Sequence, residues 1–212
     1  IVTAGSVIVN SPWVGEVMDF AKENPDFDLG VHLTVTADWP STPWRPMAAD
    51  VPSLVTPSGY LNHHIFPVVM KGSAEDVEKE IRAQIQFAQK LAKERGASLY
   101  HVDAHSGGLF ARPDFFEKFL KVADEFQLVA PISRETFGID LSPLAMAWRM
   151  PLENIMGHLQ KSALESEAAV LVDTLYVTVE GESFDERLEA YKTAIKGIQP
   201  GITEFLGQYS LE

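Results

Sequence analysis

The stretch Leu99-Tyr100-His101-Val102-Asp103-Ala104-His105-Ser106-Gly107-Gly108 reads as a strand running off into a flexible turn. Upstream of it, Val77, Ile81, Ile85, Ala88 and Ala92 recur at three- and four-residue spacing. That period predicts a helix with one buried face over Ala74 to Arg95, closed by Gly96. Downstream, Phe115, Phe119, Val122 and Phe126 repeat the period from Pro113 to Phe126, and Leu128 to Ile132 reads as the next strand. Strands alternating with helices of this length form βαβ units, which favour a parallel sheet.

The same alternation extends to both sides. Val2 to Val9 reads as a strand, Pro12 to Lys22 as a helix capped by Ser11, and Phe27 to Thr36 as a second strand. Val170 to Val179 and Ile202 to Leu206 read as strands around a helix from Phe184 to Lys196. Residues 37–72 are rich in Pro, Ser and Trp and have little periodicity, so they form an irregular excursion near the site. The expectation is an α/β fold of mostly parallel strands, a distorted or incomplete (β/α) barrel ahead of an open doubly wound sheet. One domain spans 1–212. Its opening inside an apolar run leads to the expectation that an N-terminal strand precedes Ile1. In either architecture, sites lie at the carboxyl ends of strands.

Composition narrows the chemistry. Among 212 residues, Lys and Arg number 17 against 30 Asp and Glu, a formal charge of −13, which argues against a nucleic-acid surface. Hydrophobic residues make up 46%, enough for a sizeable core. The absence of cysteine removes disulfides, thiolate metal sites and a cysteine nucleophile together. No apolar run approaches the ~20 residues that cross a bilayer, and no signal-peptide pattern opens the chain, so a soluble cytoplasmic protein without membrane or nucleic-acid partners is expected. Any metal must be held by His, carboxylate or water.

Two groups of histidines fall at strand ends. His32 stands in the apolar run Asp28-Leu29-Gly30-Val31-His32-Leu33-Thr34, after a Gly that leaves space beside it. His101, Asp103 and His105 alternate. In an extended strand, residues four apart lie ~13 Å apart, too far for His101 and His105 to share an ion. His105, at the turn, is therefore the candidate ligand. Asp103 is a second ligand or the carboxylate that orients an imidazole, and His101 is a deeper group. His63 and His64 in the excursion and His158 in a polar helical stretch read as surface residues. Arg45 and Arg134 either meet a polar substrate or pair with carboxylates. Trp39, Trp44 and Tyr60 either stack on a ligand or cover the mouth of the sheet.

Gly30-Val31-His32-Leu33-Thr34-Val35-Thr36, followed about seventy residues later by His101-Val102-Asp103-Ala104-His105, resembles the YdjC-like carbohydrate deacetylase family. That family includes chitooligosaccharide deacetylase and hopanoid-biosynthesis-associated relatives. Ile1 to Asn10 resembles its second strand, and Pro200 to Glu204 its last. The resemblance implies an incomplete barrel with one divalent metal, held by an N-terminal Asp and by residues matching His32 and His105. Both Mg²⁺ and Zn²⁺ remain open. The family's Asp-Asp-Phe-Gly motif has no counterpart and would fall before Ile1. Its final His-Pro pair is replaced by Gly207-Gln208. The implied reaction is hydrolysis of N-acetyl groups on amino sugars or short oligosaccharides. Asp103 and His101 are the candidate catalytic groups, and Arg134, Arg45 and Trp44 the candidate substrate contacts. A homodimer is compatible with the resemblance, although no self-complementary surface is legible. The alternatives are a non-catalytic sugar- or metal-binding protein on this scaffold, or another metal-dependent barrel enzyme.

Overall fold

A computed structural model describes residues 2–134, 152–177 and 181–207. β1 (Ala4–Val7) and β2 (Asp28–Leu33) flank α1 (Val14–Glu23). The 37–72 stretch follows and ends on α2 (Ile65–Lys71); α3 (Ala74–Arg95) then leads to β3 (His101–Ala104). A 3-10 turn at His105–Gly107 precedes α4 (Pro113–Phe126), β4 (Ala130–Ser133), α5 (Leu152–Glu165), β5 (Ala169–Val172), β6 (Thr174–Val177), α6 (Phe184–Lys196) and β7 (Thr203–Leu206).

Every ladder is parallel: β1 with β2, β2 with β3, β4 with β5, and β6 with β7. Val129 accepts from Val102 and donates to Tyr100, which carries the order from β3 towards β4. At Asp173 the chain changes partner: Arg134 still bonds Val172, while Asp173 and Thr174 donate to Ile202. The pairing order therefore follows chain order without reversal, as expected for a mixed α/β fold of parallel strands. Among the described residues, the strands form one three-stranded sheet and two pairs, and no ladder joins β7 to β1. None of the described helices is long and apolar enough to cross a membrane.

Local chemistry explains the helices. Ser73 Oγ accepts from Asp76 N at 3.1 Å at the start of α3, and Gly96 ends that helix with φ 79°. α1 departs from expectation: it starts at Val14, Trp13 stands at its cap, and Ser11 contributes only its carbonyl, to Val14 N at 3.5 Å. The strands are shorter than their apolar runs, because a parallel ladder lasts only where a neighbour is in register. The run from Val170 splits into β5 and β6, and its last two expected residues lie outside the described residues. α5 extends the polar helical stretch around His158 and buries Ile155, Leu159 and Ala163.

The core lies between the sheet and α3 and α4, with Phe115, Phe116, Phe119, Ile81 and Ile85 fully buried beside Leu29, Val31 and Leu33. Each such side chain contributes about 1.5–3 kcal/mol by leaving water. A buried polar clamp ties the 37–72 stretch to this core. Glu80 accepts from Met47 N at 3.0 Å and Ala48 N at 2.8 Å. Gln84 donates to Glu80 and to Thr34 O, both at 2.7 Å, and accepts from Thr34 N at 3.1 Å. Helix α3 thus fixes the chain that leaves the carboxyl end of β2.

Candidate active site

Strand alternation sends every second side chain to the same face. Register places Ser6 beside Gly30, Gly30 beside His101, and His32 beside Asp103. Three strands therefore bring Ser6, His32 and Asp103 together. His32 Nδ1 lies 2.7 Å from Asp103 Oδ1, and Ser6 Oγ donates to Asp103 Oδ2 at 2.8 Å. Immediately after β3, the 3-10 turn carries His105 back over β2, with Ser106 in the left-handed region at φ 49°. The two imidazoles meet edge to face, ring centroids 5.1 Å apart at 82°, with His32 Nε2 3.1 Å from His105 Nδ1. On the far side of His105, Nε2 lies 2.6 Å from Asp38 Oδ2.

Each ring has a carboxylate beside one nitrogen, Asp103 for His32 Nδ1 and Asp38 for His105 Nε2, and a carboxylate takes the N–H of a neutral imidazole. With one N–H of each ring given to a carboxylate, His32 Nε2 and His105 Nδ1 present lone pairs to one another. Facing lone pairs repel, and a cation between them, a proton or a metal ion, converts that repulsion into attraction. Two nitrogens at ~2.0–2.1 Å from a shared ion lie ~2.9–3.4 Å apart for angles between a right angle and the tetrahedral value. The observed 3.1 Å falls in that range. The donor set fits a divalent ion in a second respect, since ligating imidazoles usually give their other N–H to a carboxylate. Among the described residues, no group of three or more His, Cys, Asp or Glu is placed to hold an ion.

His101 occupies the layer beneath. Its Nδ1 lies 2.7 Å from Asp28 Oδ1, and its ring passes over Gly30, where an added Cβ would come 2.3 Å from the imidazole. Glu204 on β7 faces the same interior. Burial and then the charge of Asp103 push its carboxyl above the usual range, and His101 only partly offsets this.

The expected site residues thus divide. His32, Asp103 and His105 come together, and His101 lies one layer below. Arg134 is engaged with Asp173 Oδ1 at 2.8 Å at the β5–β6 junction. Arg45 bonds Gly59 O and lies 4.7 Å over the Tyr60 ring. Trp44 donates its indole N–H to Thr36 O at 2.9 Å and packs against the core. His63 bonds Ala37 O, and His158 pairs with Glu117 at the surface. Sequence reading missed Asp38, Ser6, Asp28 and Glu204. For Asp38, the only signal was a carboxylate shortly after the His32 segment, in a stretch without periodicity.

A family model described as YdjC-like protein matches residues 1–206. This chain belongs to the YdjC-like family. A relative of this YdjC-like chain in Thermus thermophilus, named carbohydrate deacetylase, is 36% identical over 139 residues, covering 66% of this chain and 47% of the relative. A second protein of that name, from Oceanobacillus iheyensis, is 33% identical over 129 residues, covering 60% of this chain and 51% of the relative. The matches therefore span about half the length of these relatives. In fold, the YdjC-like chain is similar to a crystal structure from Enterococcus faecalis V583 described as a cellobiose-phosphate cleavage protein. The TM-score is 0.65 at 20% identity, over 96% of this chain and 68% of that one.

Proposed function

We propose that this chain forms the catalytic part of a metal-dependent carbohydrate deacetylase that removes N-acetyl groups from amino sugars or short oligosaccharides. The observation that carries the reading is the pair of imidazole nitrogens that face one another 3.1 Å apart, each ring backed by a carboxylate. The names of the relatives support the substrate class. We further read the consecutive parallel ladders as arcs of an incomplete (β/α) barrel, with the imidazole pair at its mouth. A cytoplasmic setting belongs to the same proposal.

His32 Nε2 and His105 Nδ1 would hold one divalent ion, Mg²⁺ or Zn²⁺. When bound, such an ion polarises an acetamide carbonyl and lowers the pKa of a bound water. Asp103, with one oxygen on His32 and the other on Ser6, orients its imidazole and lends it charge. Asp38 does the same for His105. His101, held at Nδ1 by Asp28, keeps Nε2 for proton exchange in the interior it shares with Glu204, whose carboxyl is pushed above the usual range by burial and then by the charge of Asp103.

The test is metal content together with acetate release from N-acetylglucosamine oligomers, measured on the intact protein and on the His32→Ala/His105→Ala variant. The reading expects about one equivalent of divalent metal in the wild type, lost with activity in the variant. Unchanged metal content in the variant defeats the site. A fully loaded wild type that releases no acetate favours a binding protein.

A further inference from the structure

We propose that Trp39 is a stacking platform for the sugar ring next to the one that carries the acetamide. This rests on the deacetylase reading and adds a subsite to it. Trp39 directly follows Asp38, whose carboxylate reaches His105 at 2.6 Å, and consecutive Cα atoms lie ~3.8 Å apart. The Trp39 backbone therefore stands at the rim of the imidazole pair. Unlike Trp44, Trp39 leaves 58% of its surface in water.

The indole is also held in place before any sugar arrives. It meets the ring of Trp44 edge to face, centroids 6.0 Å apart at 76°. Trp44 is itself tied to Thr36 O at 2.9 Å and packed against the core. Trp39 O accepts from Thr42 N at 3.0 Å, and Pro40 restricts the backbone of Trp39 to extended conformations. An exposed aromatic face on a fixed support is preorganised for the C–H face of a pyranose, whose hydroxyls stay wet at the rim. Asp38 spends its side chain on His105, whereas Trp39 keeps its indole in solvent. The platform therefore lies outward of the acetamide, under the neighbouring ring, and selects oligomers over the monosaccharide.

Steady-state acetate release from the mono-, di- and trisaccharides of N-acetylglucosamine tests this, using the intact protein and the Trp39→Ala and Trp39→Phe variants. Trp39→Ala is expected to raise KM for the di- and trisaccharide by about five- to tenfold, with kcat nearly unchanged and the monosaccharide unaffected. Trp39→Phe should restore most of the loss. In parallel, titration of chelator-treated protein with the trisaccharide should shift tryptophan emission in the wild type and not in Trp39→Ala. An unchanged disaccharide KM in Trp39→Ala, or an equal loss for the monosaccharide, overturns the platform. If the wild type releases no acetate from any member of the series, the deacetylase reading fails. The emission titration then decides the platform by itself.

Discussion

An imidazole with one nitrogen committed to a carboxylate has a single nitrogen left to offer, and two carboxylates set which ones those are here. Asp103 turns His32 Nε2, and Asp38 turns His105 Nδ1, towards a common point. Asp38→Asn and Asp103→Asn should each weaken divalent-metal affinity by about 10–100-fold without unfolding the protein, as read by metal titration with far-UV circular dichroism as the control. Unchanged affinity in both variants would show that the carboxylates do not act through the rings. Gly30 makes a different argument. A methyl group there would meet the His101 ring at 2.3 Å, and that ring is held at Nδ1 by Asp28. Gly30→Ala should cost about 1–3 kcal/mol in urea unfolding, and adding His101→Ala should recover part of it, because the two changes share one space. Additive losses would mean that the ring moves aside freely.

Whole elements inherit their order from contacts of unequal legibility. The period of α3 and α4 could be read directly, because one apolar stripe must face the core and Gly96 and Pro113 mark ends, whereas the Ser73 cap came only with the structure. The bounds of the strands were less legible, since the neighbouring strand decides where a ladder stops and at Asp173 the neighbour changes. His32 and His105 stood out as polar residues at the ends of apolar runs, whereas Asp38 and Glu204 enter the site only through tertiary register. The clamp on α3 was hidden for the same reason: Glu80 looks like one more charge on a charged helix, yet it is fully buried. Its removal leaves the N–H groups of Met47 and Ala48 without their acceptor. Glu80→Ala should therefore cost about 2–4 kcal/mol. Because the same stretch carries Asp38, limited proteolysis should cut residues 37–72 first. Protection equal to wild type would remove the clamp from the account.

Carboxyl groups with opposite demands set the response of the whole molecule to pH. Burial pushes Glu78 up, but bonds from Lys118, Lys121 and Arg82 outweigh it and draw the group from 4.5 down to about 2. A carboxylate depressed in the folded state adds stability above its unfolded pKa and loses it as pH falls through the folded value. Glu78 therefore stabilises fully above 4.5 and fails on the way to about 2. Glu80 and Glu204 act in the other direction. Burial raises both, with the backbone bonds to Glu80 offsetting only part of the effect and the charge of Asp103 adding to it at Glu204. Their contribution is complete below 4.5 and disappears as pH rises through their folded values. The formal charge of −13 adds self-repulsion on that same alkaline side. Urea midpoints of chelator-treated protein from pH 2 to 8 should thus peak a little above pH 4.5, with Glu78→Gln flattening the acid limb and Glu80→Gln the alkaline one. A midpoint that climbs steadily from pH 5 to 8 would mean that the interior carboxyls ionise without cost, and that the space around Glu80 and Glu204 is wetter than their burial allows.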